Sequence, residues 1–129
     1  MTFASLPDPA TQATRDTILA FHEAFNAREV DRIMALMTAD CVFENTYPPP
    51  DGTRLVGAEA VQGFWIGMFA DTQHLHFGIE EVFVAGERGV LRWRYEWVNT
   101  AGEAGHIRGV DVFRVRGDLI AEKLSYVKG

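Results

Sequence analysis

Cysteine is almost absent: Cys41 is the only one in 129 residues. A single thiol closes no internal disulfide and fits a reducing compartment such as the cytoplasm. Long apolar runs are missing too. No stretch reaches the roughly 18 residues that a membrane span needs. The opening MTFASLPDPA has neither the basic start nor the apolar middle of a secretory signal. Positive charge is in deficit, with twelve Lys and Arg against eighteen Asp and Glu and a net charge of −6. Nucleic-acid binding needs a basic face, so that class of partner is not expected. No Gly-rich phosphate loop occurs, and no serine sits on a nucleophile elbow, which removes the common nucleotide-dependent and serine-hydrolase chemistries. Internal repeats and low-complexity linkers are absent as well.

What remains, 47% hydrophobic and 23% charged, is the composition of a globular chain long enough for one core. Residues 1–10 read as an arm, stopped by Pro7 and Pro9, and residues 11–129 as a single domain. From about Thr11 to Ala27, Ile18, Phe21 and Phe25 recur at helical spacing, with Leu19 and Ala24 widening the stripe. Thr11 or Thr14 would cap its start. A second short helix spans about Val30 to Met37. A third spans about Ala58 to Phe69, where Val61, Phe64, Trp65, Met68 and Phe69 share a face. Gly63 and Gly67 inside it each cost roughly 1 kcal/mol relative to Ala, which predicts close approach of another element. Between these helices Cys41 to Asn45 (CVFEN) and Thr53 to Val56 read as short strands, separated by the rigid loop TYPPPDG. The second half is strand-rich: Gln73 to Ala85, Val90 to Asn99, His106 to Arg116 and Leu119 to Val127, joined by Gly-bearing turns. Three helices followed by such a meander give an α+β fold, a curved antiparallel or mixed sheet with helices over one face.

The strand HIRGVDVFRVR (His106 to Arg116) carries the feature that most needs explaining. Ile107, Gly109, Asp111, Phe113 and Val115 share one face, and Arg108, Val110, Val112, Arg114 and Arg116 the other. If the first face is the core, Asp111 is a carboxyl group among apolar side chains. That costs several kcal/mol unless it is paired, neutral or held for chemistry. The alternative is that Val110 and Val112 face the core and Asp111 faces water. Three arginines on the opposite face favour a buried Asp111.

Other candidates have plainer readings beside them. His22 lies next to the stripe of the first helix, where a lone His is ordinarily a boundary residue. His74 and His76 are two apart and point the same way, but zinc needs a third protein ligand and none stands at recognisable spacing, so no metal is expected. Trp93, Tyr95 and Trp97 form an aromatic stripe that suits a pocket wall, core packing or a dimer contact. Arg92, Arg94 and Glu96 on the other face suit ion pairs of little individual worth. Glu44, Asn45 and Tyr47 sit where a strand ends in a loop, a common place for function.

Taken in order and length, FHEAFNAREVDRIMALMTADCVFEN, the GAEAVQGFW helix after a Pro/Gly loop, and GVDVFRVRGDLIAEKLSY make residues 12 to 127 resemble a SnoaL-like member of the NTF2-like superfamily. That group includes polyketide cyclases, ketosteroid isomerases and limonene-epoxide hydrolases. The resemblance implies a cone-shaped barrel, in which a strongly bent sheet and three helices enclose an apolar cavity, and a homodimer packed through the sheet. It places Asp111 where the SnoaL-type cyclases have their general acid/base and where the ketosteroid isomerases have a protonated acid that donates to an oxyanion. The isomerases' base falls at Asn45 and their oxyanion tyrosine at Phe21, so steroid isomerisation by that mechanism is not expected. The epoxide hydrolases' late aspartate falls at Ser125, and Arg92 or Arg94 with Glu96 would be an imperfect substitute, so epoxide hydrolysis is not expected either. The cyclases' histidine has no clean match; His106 is the nearest in sequence.

The resulting expectation is a small enzyme that binds a hydrophobic carbonyl compound. Asp111 would remove a proton beside the carbonyl and the enolate would cyclise or isomerise. Asn45 and Tyr47 would bind the substrate oxygen, with Trp65 and Trp93 as apolar wall. The carbonyl is its own electron sink, so no cofactor is expected. The alternative is a non-catalytic ligand-binding or dimerisation module on the same fold. Asp111 meeting a second polar group in a closed cavity would favour the enzyme. Asp111 in solvent, or a cavity filled by side chains, would count against it.

Overall fold

The elements run α1 (Pro9–Asn26), α2 (Val30–Ala35), β1 (Met37–Glu44), β2 (Arg54–Val56), α3 (Ala58–Ala70), β3 (Thr72–Ala85), β4 (Arg88–Asn99), β5 (Ala104–Arg116) and β6 (Leu119–Val127). This computed structural model describes residues 8–129, so the portion of the expected arm at residues 1–7 lies outside the described residues. The helix begins inside the rest of that arm. Asp8, rather than Thr11 or Thr14, is the N-cap, its side chain accepting from the Thr11 N–H at 2.8 Å. Pro9 then takes the first helical position, where its fixed φ fits and its missing N–H is not needed. Thr11 and Thr14 serve another purpose. The Gly86 N–H donates to Thr11 Oγ1 at 2.8 Å and Thr14 Oγ1 donates to the Gly86 carbonyl at 2.7 Å, which ties α1 to the β3–β4 turn. α2 stops at Ala35, because Met37 already belongs to β1.

The six strands form one sheet in the order β2-β1-β6-β5-β4-β3, antiparallel throughout except where β1 lies parallel to β6. The helices cover its concave face. Ile18, Phe21 and Phe25 of α1 and Val61 and Trp65 of α3 bury against Leu91, Trp93, Phe113, Val115 and Ile120 of the sheet. Each such side chain contributes about 1.5–3 kcal/mol through burial. Phe25 sits at the hub, its ring centroid 5.1 to 5.2 Å from Trp65, Phe69 and Phe77, all at steep angles. Leu91 and Trp93 are buried, and Tyr95 and Trp97 half-buried, while Arg92, Arg94 and Glu96 lie on the exposed face. There Arg94 pairs with Glu96 at 2.8 Å and Arg92 reaches Glu80 and Glu81 on β3.

Two tryptophans of β4 stand directly across from glycines of β5: Trp93 from Gly109 and Trp97 from Gly105. A Cβ at Gly109 would come within 2.2 Å of the Tyr126 carbonyl oxygen and 2.9 Å of the Trp93 ring. Gly63 and Gly67 do not behave this way. A Cβ at either would meet nothing within 4 Å, so the close approach expected around α3 is absent there.

β3 is an edge strand, and α1 covers it at Phe77. Asn26 donates to the Phe77 carbonyl at 2.9 Å and accepts from the Phe77 N–H at 2.8 Å, while His22 Nε2 lies 2.7 Å from the same carbonyl. A carbonyl only accepts, so Nε2 carries the hydrogen and Nδ1 keeps its lone pair. The boundary position expected for His22 is thus wrong: the residue is buried because it satisfies a sheet edge that no further strand pairs. Burial holds its imidazole below the ordinary 6.5; the Phe77 carbonyl and the charge of Asp111 oppose this, and His76 and Lys123 add to it.

Two outcomes follow from this packing. Gly109→Ala will lose about 1–3 kcal/mol of stability in urea unfolding, the cost of overpacking a rigid position; an unchanged midpoint would show that Tyr126 moves away freely. Acid will also destabilise the fold through His22. The unfolded chain gains a proton as pH falls through 6.5, whereas the folded chain gains it only at lower pH. Stability therefore falls below pH 6.5 by up to about 1.4 kcal/mol per pH unit and levels off once folded His22 protonates. Unfolding curves across this range for the wild type and for His22→Gln will differ in slope; equal slopes would assign the acid sensitivity elsewhere.

Candidate functional site

Asp111 is 3% exposed and Val110 and Val112 lie on the outer face, so the strand pattern resolves in favour of a buried acid. What surrounds it depends on the pairing of β5 with β6. Across the Gly117–Asp118 turn, Arg116 pairs with Leu119 and Val115 with Ile120. The next pair is Arg114 with Glu122, which leaves Ala121 as an extra residue without a partner. Beyond this bulge Phe113 stands across from Lys123 and Asp111 across from Ser125. Directly opposed residues project to the same face, so Lys123 and Ser125 turn inward with Asp111.

The three are bonded to one another, Asp111 and Lys123 buried and Ser125 half-buried at the edge of a groove that it shares with Asn45. Ser125 Oγ donates to Asp111 Oδ1 at 2.6 Å, Lys123 Nζ lies 3.3 Å from Asp111 Oδ2, and Lys123 also donates to Ser125 Oγ at 2.9 Å. The ammonium rests 4.4 Å above the Phe43 ring centroid and 5.6 Å from that of Trp65. Lys123 is 6% exposed. Burial pushes its pKa below the usual lysine range, and the charge and hydrogen bonding of Asp111 restore only part of that. A desolvated amine next to a carboxyl group can pass a proton across a short distance in an environment that water does not level.

A pocket opens on this cluster. Phe21, Phe25, Phe77, Leu91 and Phe113 form its apolar wall, and His22, Asp111 and Lys123 its polar part. Its free volume is about 10 Å³, about the room for one water molecule. The aromatic side chains thus nearly fill the apex of the cone. Phe77 is the one lining residue that is not fully buried.

The other expected site residues are not gathered there. Asn45 and Tyr47 border open grooves at the end of β1, and the groove that Asn45 shares with Ser125 lies outside the aromatic pocket. The Asn45 side chain is engaged in shaping the loop, accepting from the Thr53 N–H at 2.7 Å and the Tyr47 N–H at 3.3 Å, and the Tyr47 ring is 76% exposed. Trp65 and Trp93 are buried one layer behind the pocket wall, against Phe25 and Phe77. The indole N–H of each has no hydrogen-bond partner among the described residues. His74, His76 and His106 are exposed on the outer side of the sheet. Among the described residues no group of three His, Cys, Asp or Glu side chains is gathered to hold a metal ion, and no helix is long and apolar enough to cross a membrane. Sequence reasoning missed Lys123 and set His22 aside as a boundary residue. Reading inward alternation on β6 from the turn points to Glu122 and Leu124, and only the bulge transfers that place to Lys123.

Known proteins resemble this arrangement at the level of the fold. An NTF2-like protein of unknown function from Mesorhizobium loti is 34% identical, over 96% of this chain and 98% of that one, with a TM-score of 0.83. An LEH-like epoxide hydrolase of M. tuberculosis is 18% identical over 93% of this chain and 86% of its own, with a TM-score of 0.81. A putative SnoaL-like polyketide cyclase from Jannaschia sp. CCS1 is 17% identical over 97% and 92%, with a TM-score of 0.79. A search of curated proteins gives no match. The model of the SnoaL-like domain matches residues 18–123, a span that includes α3, β3 to β5 and both members of the buried ion pair. With most of its length inside that match, the chain belongs to the SnoaL-like family of NTF2-like proteins.

Proposed function

We propose that the pocket at Asp111 is a proton-transfer site for a short, apolar carbonyl compound, and that the protein is a cofactor-independent isomerase or cyclase. The observation that supports this reading is the convergence of Asp111 and Lys123, bridged by Ser125, on an aromatic pocket that the first two line. Asp111 takes a proton from the carbon next to the carbonyl. Lys123, the cationic group of the pocket, stands against the carbonyl and offsets the charge that develops on its oxygen. Lys123 takes over the oxygen-binding role that the sequence suggests for Asn45 and Tyr47. The enolate then either regains a proton at another carbon or closes a ring on a second carbonyl of the same molecule. Apolar walls exclude water from the reacting carbon. Phe77, on the edge strand, moves outward to admit a ligand larger than one water.

The small free volume favours a second reading, a ligand-binding or dimerisation module in which the ion pair has no chemical task. One measurement separates the two. Proton NMR in deuterated buffer will show loss of the α-proton signals of short ketones with the wild type, and Asp111→Asn will lower that rate by about 10²–10⁴-fold, the usual worth of a positioned base. Ketone signals that broaden on binding without exchanging would leave only the module.

A further inference from the structure

Lysine occurs at only two positions in this chain, 123 and 128, against ten arginines. The arginines stay at or near the surface, and those of the sheet's outer face pair with carboxylates there. Among the described residues, the one lysine or arginine side chain in the core is Lys123. The two residue types differ in a way that matters here. A guanidinium keeps its proton under all ordinary conditions, whereas an amine gives its proton up when desolvated and then carries a nucleophilic lone pair. A buried ion pair adds little to stability compared with apolar residues of the same volume, so packing alone does not account for an amine in this place. Asp111, 3.3 Å away, is positioned to take that proton, and both groups line the same pocket.

We infer that Lys123 is a nucleophile that captures the carbonyl carbon of a short aldehyde or ketone as an imine, with Asp111 carrying the protons. This deepens the reading of the pocket as a carbonyl site and rests on it. The step balances within the pair. Asp111 takes a proton from the Lys123 ammonium, and the free amine adds its lone pair to the carbonyl carbon while the C=O π electrons move to oxygen. Asp111 returns its proton to that oxygen, then removes one from the nitrogen. With this proton the hydroxyl leaves as water, and the nitrogen lone pair forms the C=N bond. The product is a protonated imine facing the Asp111 carboxylate, so the charge of the pocket is the same before and after. No oxidant or reductant takes part. The cationic imine is a better electron sink than the carbonyl, and the regenerated carboxylate removes the α-proton to give an enamine. The apolar wall, and the outward movement of Phe77 that any ligand larger than one water requires, favour a short aliphatic chain over a bulky or charged one.

Reductive trapping tests this on the whole protein. Acetaldehyde or acetone is added with sodium cyanoborohydride near neutral pH, followed by intact mass and peptide mapping. The scarcity of lysine makes the result plain, because only Lys128 and the terminal amine compete. The expected result is an alkylated Lys123, formed about tenfold faster than alkylated Lys128, since a desolvated amine has the larger neutral fraction. Modification of Lys128 and the terminal amine alone would overturn the inference. Lys123→Arg keeps the positive charge but forms no imine, and Lys123→Met serves where Arg does not fit, folding being checked by near-ultraviolet circular dichroism. Either variant is expected to lose both the trapped adduct and the α-proton exchange. Exchange that persists in Lys123→Arg, with no adduct on wild-type Lys123, would discard the imine and leave the Asp111 site standing. Absence of both adduct and exchange in the wild type would discard both.

Discussion

An ammonium and a carboxylate meet in the buried apex of this fold, and much of the surrounding architecture follows from that. Lys123 and Asp111 are 6% and 3% exposed and 3.3 Å apart. Losing either partner would strand the other, at a cost of about 3–5 kcal/mol. Their neighbours match this demand. Ser125 binds both, the Phe43 ring presents its face to the ammonium, and the remaining walls are apolar apart from His22. A polar pair so enclosed has strong internal electrostatics and weak coupling to solvent, which are the conditions under which small carboxyl and amine groups do chemistry that water would suppress.

Closure of the cone depends on α1 as much as on the sheet. Its threonines fix the β3–β4 turn, its phenylalanines fill the apex, and His22 with Asn26 completes the hydrogen bonding of the β3 edge. The same helix therefore seals the pocket and contributes a polar residue to it. His22 lies in both roles, since its Nε2 holds the strand while its ring lines the cavity. Phe77 thus belongs at once to the pocket wall and to the strand edge that α1 holds.

The fold was legible in the sequence because its signals are local. Period-two alternation on β5 marks Ile107, Asp111, Phe113 and Val115 as one face, and the structure places that face inward. Helical spacing marks Ile18, Phe21 and Phe25 equally well. The site was legible only in part, for reasons that are not local. His22 reads as a boundary residue until the Phe77 backbone is brought beside it across 55 positions. Asn45 looks like a ligand-binding amide because nothing in the sequence shows that its oxygen is occupied by two backbone N–H groups of its own loop. Lys123 is hidden by the irregularity at Ala121. Gly63 and Gly67, which look like contact points, face open space.

That irregularity affects how relatives are to be compared. Because Ala121 has no partner, residues before and after it belong to two different registers of one strand. In a relative lacking the extra residue, the amine would stand one place nearer the turn and still face the carboxyl group. The gap in an alignment therefore belongs at Ala121. Set anywhere beyond Ser125, it matches Glu122 to the relative's inward residue, and an acid is then assigned to the cavity where this chain keeps its amine.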